Sequence, residues 1–190
     1  MYNELRQLAD SARQVITRQG LAADEQENWQ IIIDLGWLMV ALPEAQGGLG
    51  MGPEARAILY REMGRGLATT PFLSQMLAID AVAESDALNA SLATLLENMV
   101  SGHCRVSTSL AASRADIFDE VSDVRVISGQ SVAVPSLDQA QYVLISTTDQ
   151  NCVALVALTS PSVSCSQTPT WDETRSLFEL ELDNVRVPLN

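Results

Sequence analysis

Residues equipped for chemistry are few in this chain. His103 is its only histidine, and it stands near no serine or cysteine in a Gly-x-Ser-x-Gly elbow, so a Ser-His-Asp hydrolase finds no support. Cys104, Cys152 and Cys165 are odd in number and widely spaced. That argues against a disulfide framework and, without a Cys-x-x-Cys or Cys/His cluster, against zinc; the three read as buried small apolar groups. Gly47-Gly-Leu-Gly-Met-Gly52 holds four of the ten glycines, just after Pro43-Glu44. A phosphate-cradling loop needs Gly-x-x-x-x-Gly-Lys-Ser/Thr, and a dinucleotide fingerprint needs Gly-x-Gly-x-x-Gly between a strand and a helix. No lysine closes this stretch and its expected neighbours are helices. It reads as a sharp corner whose glycines supply positive φ and close backbone approach, with Glu44 solvated or capping.

The elements that must position these residues change character along the chain. Leu5, Leu8, Ala9, Ala12, Val15 and Ile16 recur at helical spacing. A second helix runs from about Ala23 to Leu35 and meets Gly36 as C-cap. Pro53 opens a third, with Ala55, Ile58, Leu59 and Met63 as its stripe and Gly64-Arg-Gly66 as its end. Thr70-Pro71 starts a fourth, with Phe72, Leu73, Met76, Leu77 and Ile79 facing inward. A fifth lies around Leu88, Leu92, Leu95, Leu96 and Met99 and closes at Ser101-Gly102. Met51, Met63 and Met76 fit core packing. Beyond Gly102 the period falls to two and β-branched residues dominate: Val124 to Ser128, Tyr142 to Ser146, Cys152 to Leu158 and Leu177 to Leu182 read as strands. Turn-rich pieces separate them. The expected class is α+β: an all-α domain over residues 1–102, then an antiparallel β-barrel or sandwich over residues 103–190.

Composition narrows the function. A chain of 190 residues with 47% hydrophobic and 18% charged side chains is of ordinary globular type. Its net charge of -13 repels nucleic acid and anionic lipid. No apolar run approaches the ~20 residues of a membrane helix, and Met1 to Arg6 lacks the basic-then-apolar order of a signal peptide. The expectation is a cytoplasmic protein with neither nucleic acid nor membrane as partner.

Four pieces taken in order resemble the amino-terminal helical domain of acyl-CoA dehydrogenases. They are Leu35-Gly-Trp-Leu38, Leu42-Pro-Glu-Ala-Gln-Gly-Gly-Leu-Gly50, Arg61-Glu-Met-Gly-Arg-Gly66 and Thr70-Pro-Phe72. Ser128 to Ala140, Asp172-Glu-Thr-Arg175 and Leu182-Asp-Asn-Val-Arg-Val-Pro188 resemble the same family's middle β-domain. The resemblance implies FAD-dependent α,β-dehydrogenation of an acyl-CoA thioester: a glutamate takes the α-proton, a hydride passes to FAD, and an electron-transfer flavoprotein reoxidises the flavin. It also implies a homo- or hetero-oligomer of acyl-CoA dehydrogenase-type subunits.

Departures from the family pattern fall on the flavin motifs. The family's T-E-P-x-x-G-S-D segment maps near Ser109 and Ala111, with Thr108 or Ser109 at the threonine after a small slide, and its Gly-Ser-Asp part is absent. In the family's K-x-W/F-I-T/S motif, the lysine is replaced by Ser131, the aromatic by Ala133 and the hydroxyl residue by Pro135, with Val134 between them. Ser109, Ala111, Ala133, Val134 and Pro135 are therefore the positional equivalents of the cofactor-binding residues. An alanine cannot stack on a flavin, and a proline has neither a side-chain donor nor an N–H. The family's catalytic glutamate comes from a carboxyl-terminal bundle beyond the matched motifs, so no catalytic residue and no metal site is assigned. The alternative reading is a catalytically inactive structural subunit or fragment paired with an active homologue. Trp29, Trp37 and Trp171 are expected as core or interface anchors. Arg175 is expected either at the substrate cleft or in a local ion pair with Asp172 or Glu173.

Overall fold

A computed structural model describes residues 2–19, 24–85, 89–109, 114–121, 124–146, 153–172 and 174–188. Five helices come first: α1 (Tyr2–Gln19), α2 (Glu25–Asp34), α3 (Pro53–Arg65), α4 (Phe72–Ala83) and α5 (Ala90–Val100). Several ends have a local cause. Asp24 caps α2, its Oδ1 accepting from the N–H groups of Gln26 and Glu27. Gly36 follows α2 in the left-handed region at φ 66. Pro53 opens α3, and Asn89 caps α5 through Ser91 and Leu92. The Leu88 and Cys152 positions lie outside the described residues. None of the described helices is long and apolar enough to cross a membrane.

Seven strands follow: β1 (Val106–Thr108), β2 (Arg114–Val121), β3 (Val124–Pro135), β4 (Tyr142–Ser146), β5 (Val153–Ala157), β6 (Val163–Thr168) and β7 (Leu177–Pro188). They form two sheets, ordered β1-β4-β5 and β2-β3-β7-β6. The α+β class holds. The barrel-or-sandwich expectation narrows to two sheets that are not closed into a barrel, and the β1–β4 pairing is parallel.

Alternation along β4 ties the layers together. Leu144 points into the helical core with Trp29, Leu38, Leu59, Phe72 and Met76. Val143 and Ile145 point the other way, into a second core with Ile127, Val134, Val156, Phe178 and Leu180. Helices therefore pack on one face of the small sheet and the large sheet on the other. Met63 and Met76 sit in the helical core as expected, and Met51 packs against it.

Three expectations are corrected. Leu73 and Leu77 do not face inward: they are 45% and 36% exposed, because α4 turns Phe72, Gln75, Met76 and Ile79 to the core instead. Trp171 is fully exposed, unlike the buried Trp29 and Trp37, and so is no core residue. Cys104 is buried, but Cys165 is exposed on β6, an edge strand whose residues are mostly solvated.

Candidate functional site

The glycine corner does not offer its N–H groups to a ligand. Gly48 N donates to Pro43 O, Leu49 N to Met39 O, Gly50 N to Leu42 O and Met51 N to Val40 O, all within 2.8–3.0 Å. A Cβ on Gly48 would lie 1.9 Å from Leu42 O, so glycine there is a steric requirement. The backbone donors of residues 47–51 are spent on the corner itself, which argues against the phosphate-cradle alternative. Glu44 is exposed beside it.

A cleft of about 500 Å³ opens instead where the helices meet the strand end at Pro135. One wall is the loop between α3 and α4, with Leu67, Thr70, Pro71, Phe72 and Leu73; the other is Pro135 and Ser136, with Thr174 and Arg175 at the rim and Glu25 reaching in from α2. The loop is pinned from beneath, Asn28 Nδ2 donating to Thr69 O at 2.9 Å and Ala68 N to Met63 O at 3.0 Å. Tyr60 packs edge-on against Phe72, with ring centroids 5.5 Å apart, and burial pushes its phenol up to about 12. Three of the described residues in this region hold left-handed backbone without being glycine: Leu67 (φ 48), Ala133 (φ 55) and Ser136 (φ 51). Such strain gathers at working surfaces, where the surrounding structure over-determines it.

One helix sets the strand end in place. Gln75 is fully buried; its Nε2 donates to Met99 O (3.0 Å) and Cys104 O (2.9 Å), and its Oε1 accepts from Val106 N at 2.8 Å. Thr108 Oγ1 donates to Ser74 O at 3.0 Å. α4 thereby fixes both β1 and the cleft wall. A glutamine on the inward face of the apolar run Phe72-Leu-Ser-Gln-Met-Leu-Ala-Ile79 was the signal for this role, because a buried polar side chain must find partners.

Among the described residues Glu25 is the carboxylate that lines the cleft. Burial raises its pKa, and nearby Asp138 and Asp24 push the same way; a Ser136 hydrogen bond and the Arg105 charge oppose them. Arg105 lies 4.8 Å over the Trp29 ring, donates to Gln26 Oε1 at 2.6 Å and also to Gln139 Oε1. The sequence reading missed Glu25 because only the fold brings α2 against the turn after β3. Arg175 joins the cleft rim and lies 3.9 Å from Asp172 at 70% exposure, so both of its expected placements coincide in a loose surface pair.

The five flavin-equivalent positions are distributed unevenly. Ala111 lies outside the described residues. Ser109 is buried at the end of β1, its N–H donating to Leu144 O at 3.1 Å and its hydroxyl paired with that of Ser131. Ala133 is exposed on a bulge that sets one extra β3 residue against β7. Val134 is buried between the sheets. Pro135 is half-buried, and its carbonyl accepts the Ser107 hydroxyl at 2.5 Å. β1 and the strand end lie side by side, and the polar groups at their junction bind one another. Among the described residues no ring at position 133 and no free hydroxyl at position 135 meets a flavin, so the site as built does not fit FAD.

Comparison with known proteins bears on this geometry. The model of the acyl-CoA dehydrogenase N-terminal domain matches residues 3–103. A variant of the Tcur3481–Tcur3483 steroid ACAD is 28% identical, with a TM-score of 0.83, over 98% of this chain and 56% of that one. The ChsE4–ChsE5 complex from Mycobacterium tuberculosis is 22% identical at TM-score 0.79, over 97% of this chain and 55% of that one. A glutaryl-CoA dehydrogenase from Mycobacterium smegmatis, solved in complex with FADH2, is 15% identical at TM-score 0.72, over 98% and 54%. The chain spans about half the length of the solved chains it matches. No curated protein matches it.

Proposed function

This chain belongs to the acyl-CoA dehydrogenase family, and on that premise we propose that it serves a hetero-oligomeric, FAD-dependent acyl-CoA dehydrogenase as the subunit that does not hold the flavin. The assembly's reaction is the α,β-dehydrogenation of an acyl-CoA thioester, with an electron-transfer flavoprotein taking the electrons. One observation carries the division of labour: the strand end that should meet the flavin presents Ala133 on a bulge and satisfies its own polar groups through Ser107–Pro135 and Ser109–Ser131. Two of the structures it resembles are named as pairs, Tcur3481–Tcur3483 and ChsE4–ChsE5, which supports a paired arrangement here.

The chain's own contribution is shape. The apolar cleft beside Pro135 receives the acyl portion, and Phe72, Leu67 and Leu73 keep water from it. The test is reconstitution. The chain is purified alone and with an acyl-CoA dehydrogenase-type subunit from the same source, and acyl-CoA-dependent dye reduction is assayed with FAD present. Co-elution with turnover only in the mixture is expected; turnover by the chain alone would overturn the proposal.

A further inference from the structure

The two edges of the larger sheet are finished differently. β2, at one edge, carries Arg114, Asp116, Asp119 and Glu120, with a register shift against β3 between Ile117 and Asp119. Charges and bulges of that kind keep an edge from pairing with another strand. β6, at the other edge, reads Val163-Ser-Cys-Ser-Gln-Thr168, with no charge, no proline and an unbroken register of six pairs against β7. Ser164 to Gln167 are exposed, and among the described residues the backbone of Ser164 to Thr168 finds partners in β7 alone. In a chain of net charge -13 this uncharged edge is open to a further strand.

Features at opposite ends of β6 indicate which strand. Just past its end stands Trp171, wholly exposed, although tryptophan is highly buried on average. At its start lies a groove of about 540 Å³, with Pro161, Ser162, Val163 and Ser164 on one side and Gly129 and Glu181 on the other.

We propose that two copies of this chain pair through β6, antiparallel about a twofold axis, with Trp171 of each copy seated in the groove at the start of the other copy's β6. A twofold contact is self-complementary, so ring and groove meet twice in one interface. With Thr168 of one copy opposite Val163 of the other, Trp171 lies three residues and at most about 10 Å further on, beside Pro161 and Ser162. A foreign strand offers the edge the same hydrogen bonds but not the matching ring, which favours a second copy. Charge allows the approach. Glu179 and Glu181, on β7, stand three strand spacings from their counterparts, about 14 Å, beyond the Debye length of about 8 Å at physiological salt. Asp172, beside Trp171, brings Arg175 with it at 3.9 Å and so meets the acidic side of the groove as a paired charge. The pairing makes no use of the cleft, and it places two copies of this chain in the proposed assembly.

The test is sedimentation equilibrium of the full chain between about 1 and 200 μM, where a monomer–dimer equilibrium is expected. Cys165→Lys sets two like charges near the twofold axis, and Trp171→Ala empties the groove; each should weaken the dimer about tenfold or more. Trp171→Ala, a change at a wholly exposed side chain, carries the test where Cys165→Lys does not fold. Mild oxidation with diamide gives a second readout: the pairing sets the two copies of Cys165 near the axis, and peptide mapping of the unreduced dimer should find them joined. A chain that stays monomeric up to the highest concentration overturns the inference, as does a dimer whose affinity either variant leaves unchanged.

Discussion

The corner at residues 41–52 and the strand end at residues 131–136 both bend the chain through left-handed backbone, and they do it with different residues. At the corner the positive φ values fall on glycines, Gly47 (83), Gly50 (59) and Gly52 (80), where they cost little. At the strand end they fall on Ala133 (55) and Ser136 (51), which pay for that conformation. The corner is a fold device: its donors close on its own carbonyls and it launches α3. The strand end breaks a local rule beside the cleft, and such breaks mark a surface under a demand other than stability.

The comparison is broken most sharply at Gly48. Gly48→Ala sets a Cβ against Leu42 O, and the corner must shift; we expect a loss of about 3–4 kcal/mol in urea unfolding. A loss below 1 kcal/mol would mean that the corner is pliant and not the rigid half of the pair. The strand end depends on its support from α4. Gln75→Leu strands Val106 N–H and the carbonyls of Met99 and Cys104, with an expected cost of about 3 kcal/mol. Hydrogen exchange should show the loss at β1 first.

The helix launched by the corner gives a third test. Glu62 is buried, bound by Arg13 through two contacts of 3.1 Å and flanked by Arg61 and Arg65. These partners, the Arg13 hydrogen bonds first, outweigh burial and hold its pKa below the usual carboxylate range. A lowered folded pKa means stability that is fully present above the unfolded value and lost as pH falls through the folded one. Glu62→Gln should therefore cost about 2 kcal/mol at neutral pH and flatten the acid limb of the stability curve. An unchanged acid limb would remove Glu62 as its cause. The smallest effect is expected at Ala133. Ala133→Gly relieves the left-handed strain and should stabilise by about 0.5–1 kcal/mol, whereas Gly50→Ala should do the reverse.

Much of the helical part was legible because its signals are local. Pro53, Gly36 and the Leu42 to Gly50 run each act within a few residues, and each appears where the sequence placed it. Short strands were harder. β6 reads Val163-Ser-Cys-Ser-Gln-Thr168 and is mostly exposed, so no alternation announces it. Leu73 and Leu77 misled because an apolar helix offers several stripes, and only the position of β1 decides which is buried. Within the site, only the family resemblance singled out Ser109, Ser131, Ala133 and Pro135. That the serines satisfy one another, and that Glu25 reaches the cleft from a helix about a hundred residues away, depends on tertiary packing that no spacing encodes.

The central claim is that this strand end does not hold a flavin by itself. The direct measurement is the visible absorbance spectrum of the purified chain after incubation with FAD and gel filtration, alone and with an acyl-CoA dehydrogenase-type subunit. The account predicts a colourless chain alone and a flavin band that travels with the mixed complex. Stoichiometric flavin retained by the chain alone would contradict it.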